Sequence, residues 1–212
     1  MFRYISLKSV WLYLFGCALG IVFGMYSGGE VTDVLLLAMG IHGLTFFIIP
    51  IYLLSIGMGY VFSCETALLV RCGSFRNLYY QRIKSIVVNA ACFSFFLILT
   101  IGLSGDVPFL LSLEIFFKFL CLFLFVGLCY ITVYEYAKHN QRIGAFGLSM
   151  LIPGLDYLLI VMGVNGVFVY RFMEPRGSVW LIGSLLDIAS LLLFAFLVFI
   201  VNTVFYKKRD VL

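Results

Sequence analysis

The chain of 212 residues is 64% hydrophobic and 11% charged, with a mean hydropathy of +1.14. A soluble domain carries about 25% charged residues, and a soluble chain of this length has too little interior to hide so much apolar surface, so its solvent is lipid. The net charge of +4 does not mark a nucleic-acid partner, because the basic residues are scattered between apolar runs.

Crossing a bilayer takes roughly 20 mainly apolar residues, and six runs qualify. The first, Ser9–Tyr26, follows Arg3 and Lys8. Its apolar core is long for a signal peptide and no A-x-A-like site follows it, so it reads as an uncleaved anchor. Gly16, Gly20 and Gly24 recur every fourth residue there. Such a stripe allows close helix contact, within the chain or with a second membrane subunit. The second run, Val34–Phe62, is longer than a crossing needs. Pro50 predicts a kink in it, and Gly57-Met58-Gly59 a loosened end.

Between the second and third runs lies Glu65–Lys84, which holds four of the fourteen basic residues: Arg71, Arg76, Arg82 and Lys84. On a helical wheel Leu68, Cys72, Phe75, Tyr79 and Ile83 share one stripe, flanked by Arg71 and Arg82 on one side and Arg76 on the other. The pattern predicts an amphipathic helix lying in the membrane surface, its arginines reaching headgroups or a partner. Gly73-Ser74 predicts a break or bend within it. A plain basic loop that only fixes topology is the other reading.

The third and fourth runs are Ser85–Leu103 and Leu111–Tyr134. Gly102-Leu103-Ser104-Gly105 matches the G-x-S-G string of rhomboid proteases. A nucleophilic serine needs a base, and the only histidines are His42 and His139. His139 falls on the opposite side of the membrane, and His42 reads as an interhelical hydrogen-bonding residue. The string reads as a turn.

The fifth and sixth runs are Ile143–Val169 and Val179–Phe205. Each holds one aspartate, Asp156 after Pro153-Gly154 and Asp187. Charges in lipid are costly, so both are candidates for a substrate path or a gate; the alternative is a buried carboxyl hydrogen-bonded to a neighbouring helix. The G-x-G-D motif of intramembrane aspartyl proteases is absent. Eleven of the fourteen Lys and Arg residues fall on one side of this arrangement. The positive-inside rule therefore puts both termini and the Glu65–Lys84 segment in the cytoplasm. The outer loops are expected to carry Glu30, Asp33, Asp106, Glu114 and Glu174. The six cysteines have no paired or C-x-x-C spacing and read as small buried hydrophobes, with no metal site. No Walker A loop is present, so this chain does not hydrolyse ATP by that route.

Glu65, the apolar Ala67–Val70, Arg71-Cys72-Gly73-Ser74, Arg76 and Tyr79-Tyr80 resemble the cytoplasmic connection between helices two and three of small bacterial ABC-2-type exporter permeases. That family carries an acidic residue, an apolar stretch, an R-x-G-S-R-like motif and then aromatics. Here Phe75 separates Ser74 from Arg76, and Tyr-Tyr stands where tryptophans are common. The six-helix plan resembles the family as well. The resemblance implies a coupling segment of Glu65, Arg71, Gly73, Ser74, Phe75, Arg76, Tyr79 and Arg82 that docks in a groove of a separate ATPase. It implies ATP and Mg in that partner and a second permease, as homo- or heterodimer. It also implies a short re-entrant gate in the outer loop Tyr170–Ser178.

The expectation is an all-α integral membrane protein in one domain, residues 1–212. It has six transmembrane helices, cytoplasmic termini and a short amphipathic cytoplasmic helix between helices two and three, in a bacterial inner membrane. The expected function is ABC-driven export of a hydrophobic or amphipathic cargo such as an antimicrobial peptide. The alternative is a non-enzymatic accessory or immunity protein that binds a peptide or another membrane protein without an ATPase.

Overall fold

The computed structural model describes residues 10, 11, 13, 14, 39–58, 62, 72–104, 108–136, 141–164, 169–173 and 180–209. Among them all regular structure is helical, with no strand. Four helices are long and apolar enough to cross a membrane, over Phe75–Gly102, Phe109–Tyr134, Ile143–Val161 and Gly183–Val204. A shorter apolar helix covers Ile41–Gly57. The chain is thus a helical membrane protein. Most of the expected first span lies outside the described residues, including Gly16, Gly20 and Gly24; Tyr13 from that run is buried in the core.

The helix Ile41–Gly57 (α1) shows how one proline sets local geometry. Pro50 has no amide hydrogen for the carbonyl of Phe46. The backbone answers with a π-helical stretch over Leu44–Ile48 immediately before it, and α-helix resumes at Ile49. The proline thus disturbs the helix through a change of hydrogen-bond register. The helix ends at Gly57, inside the expected glycine pair.

Helix α2 runs unbroken from Phe75 to Ser104. This corrects the expectation of a separate surface helix reaching Lys84. No proline or glycine lies between Phe75 and Ile101, so nothing stops the helix before it enters the apolar run. The expected break is at its start. Gly73 adopts φ +70°, a left-handed conformation that favours glycine. The Ser74 hydroxyl then accepts the Asn77 amide at 3.1 Å, an N-cap.

Helix α3 (Phe109–Tyr136) is central. It packs on α2 and on α7 (Trp180–Arg209), and also on α4 (Gln141–Ser149) and α1. Contacts fix the directions. Arg82 meets Tyr134 while Phe93 meets Phe123, so α2 and α3 are antiparallel. Glu114 meets Ser184 and Phe125 meets Phe194, so α3 and α7 are parallel. Two further helices are α5 (Leu151–Val161) and α6 (Tyr170–Met173).

The core is aromatic. Tyr13, Tyr52, Phe93, Phe119 and Phe123 pack ring against ring. Two tyrosines are seated against glycines on the facing helix. A Cβ at Gly127 would lie 2.9 Å from the Tyr52 hydroxyl oxygen and 2.7 Å from Cγ2 of Ile86. A Cβ at Gly57 would lie 2.9 Å from the Tyr130 hydroxyl oxygen. A side chain at either glycine would force the facing tyrosine, or Ile86, to shift.

Candidate functional site: a basic tip and buried charges

At the basic end of the bundle, the start of α2 divides its residues between surface and interior. Arg76 is exposed, its guanidinium 5.7 Å from the ring centre of Tyr80, which is also exposed. Lys84 is exposed as well. Gly73 and Ser74 form the cap, and Phe75 is half-buried against the core. Tyr79 turns inward, stacks on Phe199 of α7 and donates its hydroxyl to the Phe199 carbonyl at 3.3 Å. Glu65 and Arg71 lie outside the described residues.

Arg82 differs most from expectation. It is fully buried, with its guanidinium 4.9 Å from the Tyr134 ring centre and 5.5 Å from that of Phe62. The Tyr134 hydroxyl donates to the Phe62 carbonyl at 3.0 Å, fixing both rings. The buried face of α2 runs through Leu78, Tyr79, Arg82, Ser85, Ile86 and Asn89. It is rotated from the expected stripe of Phe75, Tyr79 and Ile83, because the stripe ranked Arg82 by its charge. An arginine between two aromatic faces recovers part of its lost hydration through the ring quadrupoles. Arg82 is therefore unavailable to a soluble partner in this arrangement.

A second charged group lies at the opposite end of the bundle. Lys118 of α3 is fully buried. Its Nζ is 3.0 Å from Glu114 Oε1 and 3.7 Å from Asp187 Oδ2. The Ser184 hydroxyl donates to the same Glu114 oxygen at 2.5 Å. The short hydroxyl bond and the close ammonium are the charge-assisted contacts that make a buried carboxylate tolerable. Glu114 is a correction, since it was expected in an outer loop. It falls within the run Leu111–Tyr134, one helical turn before Lys118, and its pairing with that ammonium lets α3 carry it inside. Sequence reasoning picked out Asp187 but missed Glu114, Lys118 and Ser184. The signal was present as two helical spacings, Glu114/Lys118 at i,i+4 and Ser184/Asp187 at i,i+3.

Asp156 belongs to neither charged group. It is fully buried on α5, and its Oδ2 accepts the backbone amides of Val169 at 2.8 Å and Tyr170 at 3.0 Å. It thereby ties the start of α6 to α5. The Tyr170 hydroxyl donates to the Ile41 carbonyl at 3.2 Å, extending the tie to α1. Burial, and then the adjacent Asp156 charge, push the Tyr170 phenol above its ordinary range, so it remains a neutral donor. Asp156 thus holds backbone amides at the start of α6, whereas Asp187 lies beside Lys118.

His42 is exposed and stacks on Phe46, with its ring edge-on to Tyr157. Among the described residues no three His, Cys, Asp or Glu side chains come together as a metal site. Cys72, Cys92, Cys121 and Cys129 are free. No protein-family description, curated protein or solved structure matches the chain.

Proposed function

We propose that the chain is the membrane-spanning permease subunit of an ABC-2-type exporter, driven by a separate ATPase subunit that holds the ATP and Mg. The observation that carries this reading is the form of α2. An exposed Arg76 and Tyr80 stand at one end of a capped helix that continues without a break into the aromatic core. A push on that tip is delivered to buried Tyr79, Arg82 and Asn89, because a helix with no interruption is stiff along its axis. Arg76 offers the planar donor set that a carboxylate on a docking partner would take.

In this reading the basic end faces the cytoplasm, both termini are cytoplasmic, and the first run supplies a sixth span in a bacterial inner membrane. A second permease and two ATPase subunits complete the assembly. With so little polar surface in the chain, the cargo is hydrophobic or amphipathic, such as an antimicrobial peptide. ATP hydrolysis belongs to the partner, and this chain is not itself an enzyme. Family analogy supplies the chemistry here, while the sites supply only its mechanical parts.

One observation favours a second reading. With Tyr79 and Arg82 turned inward, the described residues at the start of α2 that face outward are Arg76, Asn77, Tyr80 and Lys84. A small basic patch of that kind also suits anionic headgroups, as in an accessory or immunity protein without an ATPase. The deciding experiment purifies the full chain gently from its native membrane, identifies the subunits that come with it and assays ATP hydrolysis. The expected result is a stoichiometric ATPase, with hydrolysis uncoupled from transport by Arg76→Glu while the chain remains folded. A chain that emerges alone, with no ATPase activity, replaces this reading with the accessory one.

A further inference from the structure

We propose that α5 is a hinged arm that pivots at Met150 and is latched to the bundle by Asp156. Three observations place the hinge. Met150, between α4 and α5, departs from ideal helical geometry at ψ −12°. Pro153, three residues on, has no amide hydrogen to offer the Ser149 carbonyl, so one rung of the helical ladder is missing. Rungs on either side survive, from Met150 to Phe146 at 3.1 Å and from Gly154 to Met150 at 2.9 Å. The Ser149 hydroxyl, buried at the same point, has no hydrogen-bond partner among the described residues. A continuous helix that loses one bond and carries an unsatisfied buried hydroxyl there bends most easily at that point.

The two sides of the hinge are anchored differently. α4 packs along central α3, with Ala145 fully buried. α5 exposes Leu151, Leu155, Leu158 and Val161, and touches mainly α4 and the π-helical stretch of α1. Its buried side chains are Pro153 and Asp156. Asp156 faces inward, where it holds the amides of Val169 and Tyr170. Beside it Tyr157 meets His42 and Phe46 of α1 edge-on, at 5.5 and 5.1 Å between ring centres. Gly163, at φ +81°, ends the arm beyond Val161. A weakened pivot, an outward face of Leu151, Leu155, Leu158 and Val161, and a carboxylate latch beside Ile152, Tyr157 and Ile160 on the core define a segment that opens at lower cost than its surroundings. The device stands with or without an ATPase partner.

Hydrogen exchange of the full-length chain in lipid nanodiscs, read by mass spectrometry, tests it. Wild-type α5 is expected to exchange faster than α4. Asp156→Ala is expected to accelerate exchange in α5 and over 169–173 by roughly tenfold, the scale of losing a hydrogen bond to a charged acceptor, with α3 and α4 unchanged. Asp156→Asn, which keeps an acceptor oxygen, should fall between. Pro153→Ala restores the missing donor and should slow α5, a result independent of whether the Asp156 variants fold well. Equal exchange of α4 and α5 in the wild type overturns the proposal. So does acceleration by Asp156→Ala spread equally through α3 and α4, or a Pro153→Ala protein whose α5 is unchanged.

Discussion

Among the described residues, the two ends of the bundle place different groups around a buried cation. At the basic end, Arg82 is enclosed by the faces of Phe62 and Tyr134. At the opposite end, Lys118 is enclosed by carboxylates, Glu114 at 3.0 Å and Asp187 at 3.7 Å. The planar, weakly hydrated guanidinium suits stacking on rings, whereas the compact ammonium requires oxygen acceptors. The ring cage comes from α3 and the residue Phe62, so it ties α2 to α3 through ring faces. The carboxylate cage ties α3 to α7 through opposite charges, and so makes each member depend on the others.

That contrast predicts unequal costs of substitution. Lys118→Met should be the most damaging, at about 3–5 kcal/mol, because it leaves two carboxylates buried without the ammonium between them. Thermal unfolding in detergent measures the loss. Adding Glu114→Gln and Asp187→Asn should restore much of the stability, and failure of that rescue would mean the cluster is not acting as a unit. Arg82→Lys comes next, at about 1–2 kcal/mol, since an ammonium cannot stack on both rings. If it proves as costly as Lys118→Met, the two cages are not different in kind. Ser184→Ala removes one hydroxyl donor from Glu114 and should cost about 1 kcal/mol. Arg76→Glu sits at the exposed tip and should shift unfolding by under about 0.5 kcal/mol, which makes it a clean probe of docking.

Much of this architecture was legible from hydropathy alone. The apolar runs at Ser85–Leu103, Leu111–Tyr134 and Val179–Phe205 became the cores of α2, α3 and α7. Local chemistry also read through, with Gly73-Ser74 starting α2 and Pro50 disturbing α1. The fifth run was read too long, because the apolar Met162 and Val164 carry the hydropathy past the point where the backbone turns; Gly163 with its positive φ ends α5, well before Val169. What hydropathy concealed was where charge goes. It assigns Arg82 and Glu114 to the surface, because a residue-by-residue scale contains no ring cage and no ion pair. Those partners come from other helices, or from one turn away, and appear only when spacing and packing are read together. Asp156 was legible as costly, but its role as a latch depends on the amides of Val169 and Tyr170, which no side-chain pattern announces.

The reciprocal seating of tyrosines against glycines limits how the bundle can move. Tyr52 of α1 fits at Gly127 of α3, and Tyr130 of α3 fits at Gly57 of α1. Sliding either helix along its axis would carry both hydroxyls off the glycines that make room for them. Two keys in two keyways, cut on opposite members, oppose a piston stroke in either direction. The seating therefore favours motions that keep α1 and α3 together over sliding of one along the other, and Ile86 at the same Gly127 draws α2 into that set.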